Sequence, residues 1–171
     1  MKIKNLIVVV LFGILPVFVQ AQDYSGLKDI QLKEKQDYKN AETLALECSN
    51  FILTHSMFYK SYNGLSAVQF ILRWMEGTPD FMFNIDDSLA KVWKQDKFIM
   101  GVYMACLTKY CLENPENAKN NDVVELNATK LFLNYVNHPD SGVKKTAALK
   151  KLIKADQEGK LNEFLKIQTI I

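Results

Sequence analysis

The 171-residue chain is 49% apolar, 11% aromatic and 23% charged, the balance of an ordinary folded domain. This excludes a disordered, collagenous or multi-pass membrane protein. The formal charge of +2 belongs to Lys2 and Lys4: no acid precedes Asp23, and from Gln22 onward 19 basic residues face 19 acidic ones. That neutrality removes the electrostatic case for a nucleic-acid partner or a polybasic membrane binder.

Residues Met1 to Ala21 open with Lys2 and Lys4, continue as an apolar run from Leu6 to Val19, and end on the small residue Ala21. This pattern predicts a cleavable secretory signal peptide. The run is short of the about 20 residues that cross a bilayer, and it contains Gly13 and Pro16. The expectation is cleavage after Ala21 and a single domain over 22–171, periplasmic or secreted, with no transmembrane segment in the mature chain. Three cysteines are too few and odd in number for a disulfide framework. Cys106 and Cys111, five apart on a predicted helix, are separated by about 7.5 Å of rise and about 140° of turn and cannot bridge each other. Cys48 either pairs with one of them or is buried, like them, as a small apolar residue.

Helical spacing runs through the rest of the chain. Ala41, Leu44, Ala45, Cys48, Phe51 and Ile52 recur at steps of three and four, opposite Lys39, Glu42, Glu47 and Asn50. A second helix is predicted from Asn63 and Gly64, with Leu65, Val68, Ile71, Leu72, Trp74 and Met75, ending at Gly77-Thr78-Pro79. The segment from Asp80 to Asp87 has no period and reads as an ordered loop before a short helix from Ser88 to about Lys94. Asp96 is placed to cap the next helix. From Phe98 to Thr108 eleven residues pass without a charge, apolar around most of the circumference. This predicts a central helix over about 97–113, enclosed by others and stopped by Asn114-Pro115. Asp122 to Asn137 is amphipathic and closed by His138-Pro139. Ser141 is read as the cap of a helix reaching about Asp156, with Val143, Ala147, Leu149, Leu152 and Ile153 inward and Lys144, Lys145, Lys150, Lys151 and Lys154 outward. Gly159 precedes a last helix with Leu161, Phe164 and Leu165. With no alternating strand pattern, the prediction is an all-α bundle of six or seven helices.

Ala128, Phe132, Tyr135 and Pro139 resemble the second helix of a tetratricopeptide unit, although no partner helix precedes them at the required distance. The blocks Leu72-Arg73-Trp74-Met75-Glu76-Gly77-Thr78-Pro79, Val102-Tyr103-Met104-Ala105-Cys106 and Leu126-Asn127-Ala128-Thr129-Lys130-Leu131-Phe132, with the leader, resemble a group of secreted helical proteins of Gram-negative bacteria. That resemblance implies location and fold and brings no activity or catalytic residue with it.

The sequence offers little chemistry. His55 and His138 lack the spacing of a shared metal face, so they read as solvent-facing or helix-end residues, and no metal site is expected. Cys48 and His55 lie about 10.5 Å apart along a helix, too far for thiol activation. The scattered glycines form no phosphate loop, the Asp-rich segment lacks calcium-loop order, and no cofactor is implied. An enzyme reading exists: Glu76, beside Trp74, as the acid of a small all-α glycan hydrolase, with Asp86 or Asp87 as its second carboxylate. A binding reading uses Phe81, Met82 and Phe83 as an exposed contact patch, or tucks the same rings into the core. The lysine face from Lys144 to Lys154 reads as a solvated helix face or as a surface for anionic lipid or glycan. Asp87-Ser88-Leu89 is similar to an O-glycosylation acceptor, and Ser88 equally suits a helix start. The expectation is an exported, non-catalytic helical module that binds or scaffolds an envelope protein or glycan, with the hydrolase as its alternative.

Overall fold

The computed structural model describes residues 24–56, 58–83, 89–93 and 97–169. The expected leader and cleavage point, together with Asp86, Asp87, Ser88 and Asp96, lie outside them. Among the described residues there are eight α-helices and no strand: α1 (Lys35–Asn40), α2 (Glu42–Thr54), α3 (Tyr62–Gly77), α4 (Ala90–Trp93), α5 (Lys97–Glu113), α6 (Asn121–Asn137), α7 (Ala147–Gln157) and α8 (Leu161–Thr169). The chain is all-α as its spacing predicts, with one helix more than expected. The addition is α1, whose sequence Lys-Gln-Asp-Tyr-Lys-Asn has no apolar period to betray it. Polar bonds hold it instead. Asp37 Oδ2 accepts from the backbone N–H groups of Glu34 (2.9 Å) and Lys33 (3.0 Å), which keeps its carboxyl below the usual range. The Tyr38 hydroxyl donates to the Leu32 carbonyl at 3.1 Å.

Caps set the ends of the longer helices. Ser61 Oγ accepts from Gly64 N–H at 3.0 Å to open α3, and Asn120 Oδ1 accepts from Val123 N–H at 3.3 Å to open α6. The seventh helix corrects the sequence reading. Ser141 does not cap it: its side chain is buried and donates to the Val136 carbonyl at 3.3 Å, closing a 3₁₀ turn over Pro139–Ser141 behind α6. Gly142 then takes a left-handed φ of 66°, which breaks the continuation that the apolar spacing implies. Thr146 caps instead, its Oγ1 accepting from Leu149 N–H at 3.2 Å. Val143, Lys144 and Lys145 therefore precede the helix, and Ala147 is exposed rather than inward.

The fifth helix is the hub. It packs on α2, α3 and α6, and every residue from Gly101 to Thr108 is buried. The charge-free run is covered on all sides from Gly101 onward, while Phe98 at its start is 41% exposed. Tyr110 meets Asn127 and Tyr103 meets Phe132, so α6 runs antiparallel to α5. Lys109 reaches Asn50, while Phe98 stacks on Tyr59 beyond the end of α2, so α2 is antiparallel to α5 as well. α2 and α6 therefore run in one direction on either side of the hub, and their C-terminal ends emerge together. The third helix returns along α2. Trp74, fully buried, donates its Nε1–H to the Tyr38 carbonyl at 3.0 Å and fixes α1 against the end of α3. No helix among the described residues is long and apolar enough to cross a membrane.

Candidate functional site

Among the described residues, those singled out in the sequence do not assemble into one site. Glu76 stands exposed in the last turn of α3, while Trp74, two positions earlier, points into the core. Neighbours two apart face away from each other on a helix, so the indole cannot desolvate that carboxyl. Glu76 is absent from the lining of the four described cavities, and its proposed partners Asp86 and Asp87 lie outside the described residues. Phe81 and Phe83 are half-buried, with ring centroids 5.6 and 5.9 Å from Trp74. Met82 between them is 71% exposed. Met82 is open to solvent, and the two rings, part-exposed themselves, also cover the Trp74 end of the core.

The three cysteines are buried, unbonded thiols. Burial pushes Cys48 up to about 12 and Cys111 up to about 11, and raises Cys106 further. Such thiols stay protonated and unreactive at neutral pH. All five lysines of the 144–154 segment are exposed, and Lys154 pairs with Glu158 at 3.6 Å.

The largest described cleft forms where the ends of α2 and α6 straddle α5. Its volume is about 460 Å³. Leu53, Leu131 and Tyr135 give it an apolar wall, and Thr54, Ser56, Asn134 and Ser141 contribute hydroxyl and amide groups. The fold supplies these residues for a plain reason: the last turn of each helix carries both core-facing apolar groups and the polar residues that terminate it. Lys109 lies in the wall with its ammonium already engaged, donating to Asn50 Oδ1 at 2.7 Å and to Glu113 Oε1. Burial, then the Tyr59 hydroxyl, pushes the Tyr135 phenol up to about 12, so it stays neutral.

Both histidines prove to be helix-end residues; His138 lines this cleft, and His55 lies between two lining residues, Thr54 and Ser56. His55 follows α2 and stacks on Phe51 at 4.2 Å, and His138 follows α6. Thr54 Oγ1 and His55 Nδ1 are 3.1 Å apart, the distance of a nucleophile and its base. Their other partners exclude that role. His55 Nδ1 lies 2.9 Å from the Phe51 carbonyl, an acceptor only, so this nitrogen carries the proton. The Thr54 hydroxyl donates to the Asn50 carbonyl at 2.7 Å. An imidazole N–H faces a hydroxyl whose own proton is committed elsewhere, and nothing activates the oxygen. His138 Nδ1 accepts from Asp140 N–H at 3.3 Å, which makes it a turn-forming group. Among the described residues no set of three His, Cys, Asp or Glu side chains is placed to hold a metal ion.

Leu53, Thr54, Asn134 and Ser141 have no motif to announce them. The signal present in the sequence is positional: each histidine directly follows a helix, and these two helices end side by side. Comparison with family models, curated proteins and solved structures finds no match.

Proposed function

We propose that the chain is an exported, non-catalytic binding module of the cell envelope that takes a small amphipathic molecule in the cleft between the ends of α2 and α6. The observation that carries this reading is the cleft itself. At about 460 Å³ it has the size of small-ligand sites, and it joins an apolar wall to uncharged hydrogen-bonding groups. Its lysine, Lys109, is neutralised by Glu113, and the carboxylate of Asp140 stands exposed beside His138, so recognition in the interior rests on shape and neutral hydrogen bonds. The Thr54–His55 tautomer favours binding over turnover. Export rests on the leader pattern, and the balanced charge of the remainder suits a ligand that is not a polyanion.

Native mass spectrometry of the protein purified from its own envelope fraction tests this reading. The expected result is a non-covalent adduct of constant mass on the wild-type chain, lost in Asn134→Trp. Asn134 is exposed, so the indole fills the cleft without entering the core. Equal adduct occupancy in both proteins, or none in either, would overturn the assignment of the cleft.

A further inference from the structure

A second, more polar pocket lies between α3 and the 3₁₀ turn Ser25–Asp29. Its volume is about 300 Å³. Along α3 it is lined by Tyr62, Ser66, Gln69, Phe70 and Arg73, a stripe at helical spacing, and the turn contributes Leu27 and Lys28. Two cations and no acid line it. The groove between α7 and α8 shows the contrast, since its lysines share their surroundings with Glu158 and Glu163, and Lys154 and Lys160 pair with Glu158.

Arg73 is half-buried and donates only to carbonyls: Nη1 to Leu27 (3.2 Å) and Lys28 (3.3 Å), and Nη2 to Ile30. These bonds tie the 3₁₀ turn to α3, yet carbonyl dipoles do not neutralise a guanidinium. Two of its five N–H groups remain uncommitted among the described residues. The side chains of Lys28, Ser66, Gln69 and Tyr62 likewise have no hydrogen-bond or ion-pair partner among the described residues. Uncommitted donors, an amide and a hydroxyl converge on one concavity, with the Tyr62 ring, 62% exposed, at its lip.

We propose that this pocket binds an acidic sugar, with Arg73 and Lys28 taking the carboxylate or sulfate, Gln69 and Ser66 the ring hydroxyls, and Tyr62 the apolar face of the ring. A fixed guanidinium fork matches an oxyanion in geometry and charge. The amide and hydroxyl are the donor–acceptor groups that sugar hydroxyls pair with. The proposal is independent of the α2–α6 cleft, and either can fail alone.

The test is titration of the ¹⁵N-labelled protein with D-glucuronate, D-glucose and inorganic sulfate, read at the Gln69 side-chain amide and Arg73 Nε–H. Glucuronate should give saturable shifts at both groups and weaken as salt is raised. Glucose should shift neither, and sulfate only Arg73. Arg73→Lys should lower glucuronate affinity about tenfold or more, as loss of charge-assisted hydrogen bonds does. Because Arg73 also holds the turn, the exposed Lys28→Gln and Gln69→Leu variants provide a second reading that leaves the fold intact, each weakening binding severalfold. Glucose binding as well as glucuronate, sulfate matching glucuronate at both groups, or Lys28→Gln and Gln69→Leu both binding like wild type would overturn the proposal.

Discussion

Gly64→Ala reverses the usual sign of a helix substitution. Replacing glycine by alanine inside a helix ordinarily stabilises by up to about 1 kcal/mol, through backbone entropy and propensity. At Gly64 the added Cβ would sit 2.1 Å from the Phe58 carbonyl oxygen and 2.6 Å from its carbon. The obstacle is backbone, held by Ser61 N–H donating to that same oxygen at 2.9 Å and by Ser61 Oγ donating to it at 2.8 Å, so no rotamer change relieves it. Overpacking against a fixed group costs about 1–3 kcal/mol and sometimes more. Set against the propensity gain, and with backbone rather than side chain displaced, the net effect is a loss of about 2 kcal/mol, or about 4–8 °C in Tm for a domain of this size. Gly26→Ala is the matched control, since its Cβ would meet nothing within 4 Å, and it should be neutral or slightly stabilising. Urea titrations followed by tryptophan fluorescence compare the two. If Gly64→Ala is as stable as Gly26→Ala, the close approach of α3 to the Phe58 turn is wrong.

Four further outcomes rest on named contacts. Thr146→Ala should cost about 1 kcal/mol in urea unfolding by removing the cap of α7, whereas a cap at Ser141 would leave it neutral. Met82→Asp should leave stability unchanged while Phe81→Asp and Phe83→Asp lower it, since those rings lie against Trp74; equal effects would mean that all three side chains share one environment. Thr108→Val and Thr129→Val should each stabilise by about 1 kcal/mol, because both hydroxyls are buried without a hydrogen-bond partner, and a loss of stability would show that they are satisfied. The thiols give a pH signature. Burial raises Cys48 from 9.0 to about 12 and Cys111 from 9.0 to about 11, so the unfolded chain releases these protons first. Their contribution to stability is complete below about pH 9 and is lost as pH rises toward 11–12. Thiol reagents should label all three only at the rate of global unfolding, and rapid labelling of native Cys48 would contradict its burial.

The helices are readable from the sequence wherever burial imposes a period. The charge-free run announces an enclosed helix, and from Gly101 to Thr108 it is one, because only a segment covered on every side can dispense with charge on every side; Phe98, before it, is exposed. α1 is hidden because its stability comes from Asp37 and Tyr38 bonding to nearby backbone, which leaves no apolar stripe. The start of α7 is misplaced by spacing alone because Val143 and Ala147 stand four apart, as on a helix, although the chain between them is not helical: Ser141 bonds back to Val136, Gly142 turns left-handed, and the helix restarts only at the Thr146 cap. The cleft is not readable, since it arises from two helix ends far apart in the chain being brought level by α5. The polar stripe of Tyr62, Ser66, Gln69 and Arg73 is present in the sequence at helical spacing, but nothing there distinguishes a pocket wall from a solvated face.

Cleft and pocket alike depend on α5 being the enclosed hub that sets α2 and α6 parallel and holds α3 in place. Native-state amide hydrogen exchange, resolved residue by residue, tests this most directly. The amides from Val102 to Thr108 should exchange only through global unfolding, more slowly than any in α1 or α7. Exchange of that segment as fast as the exposed face of α7 would contradict it.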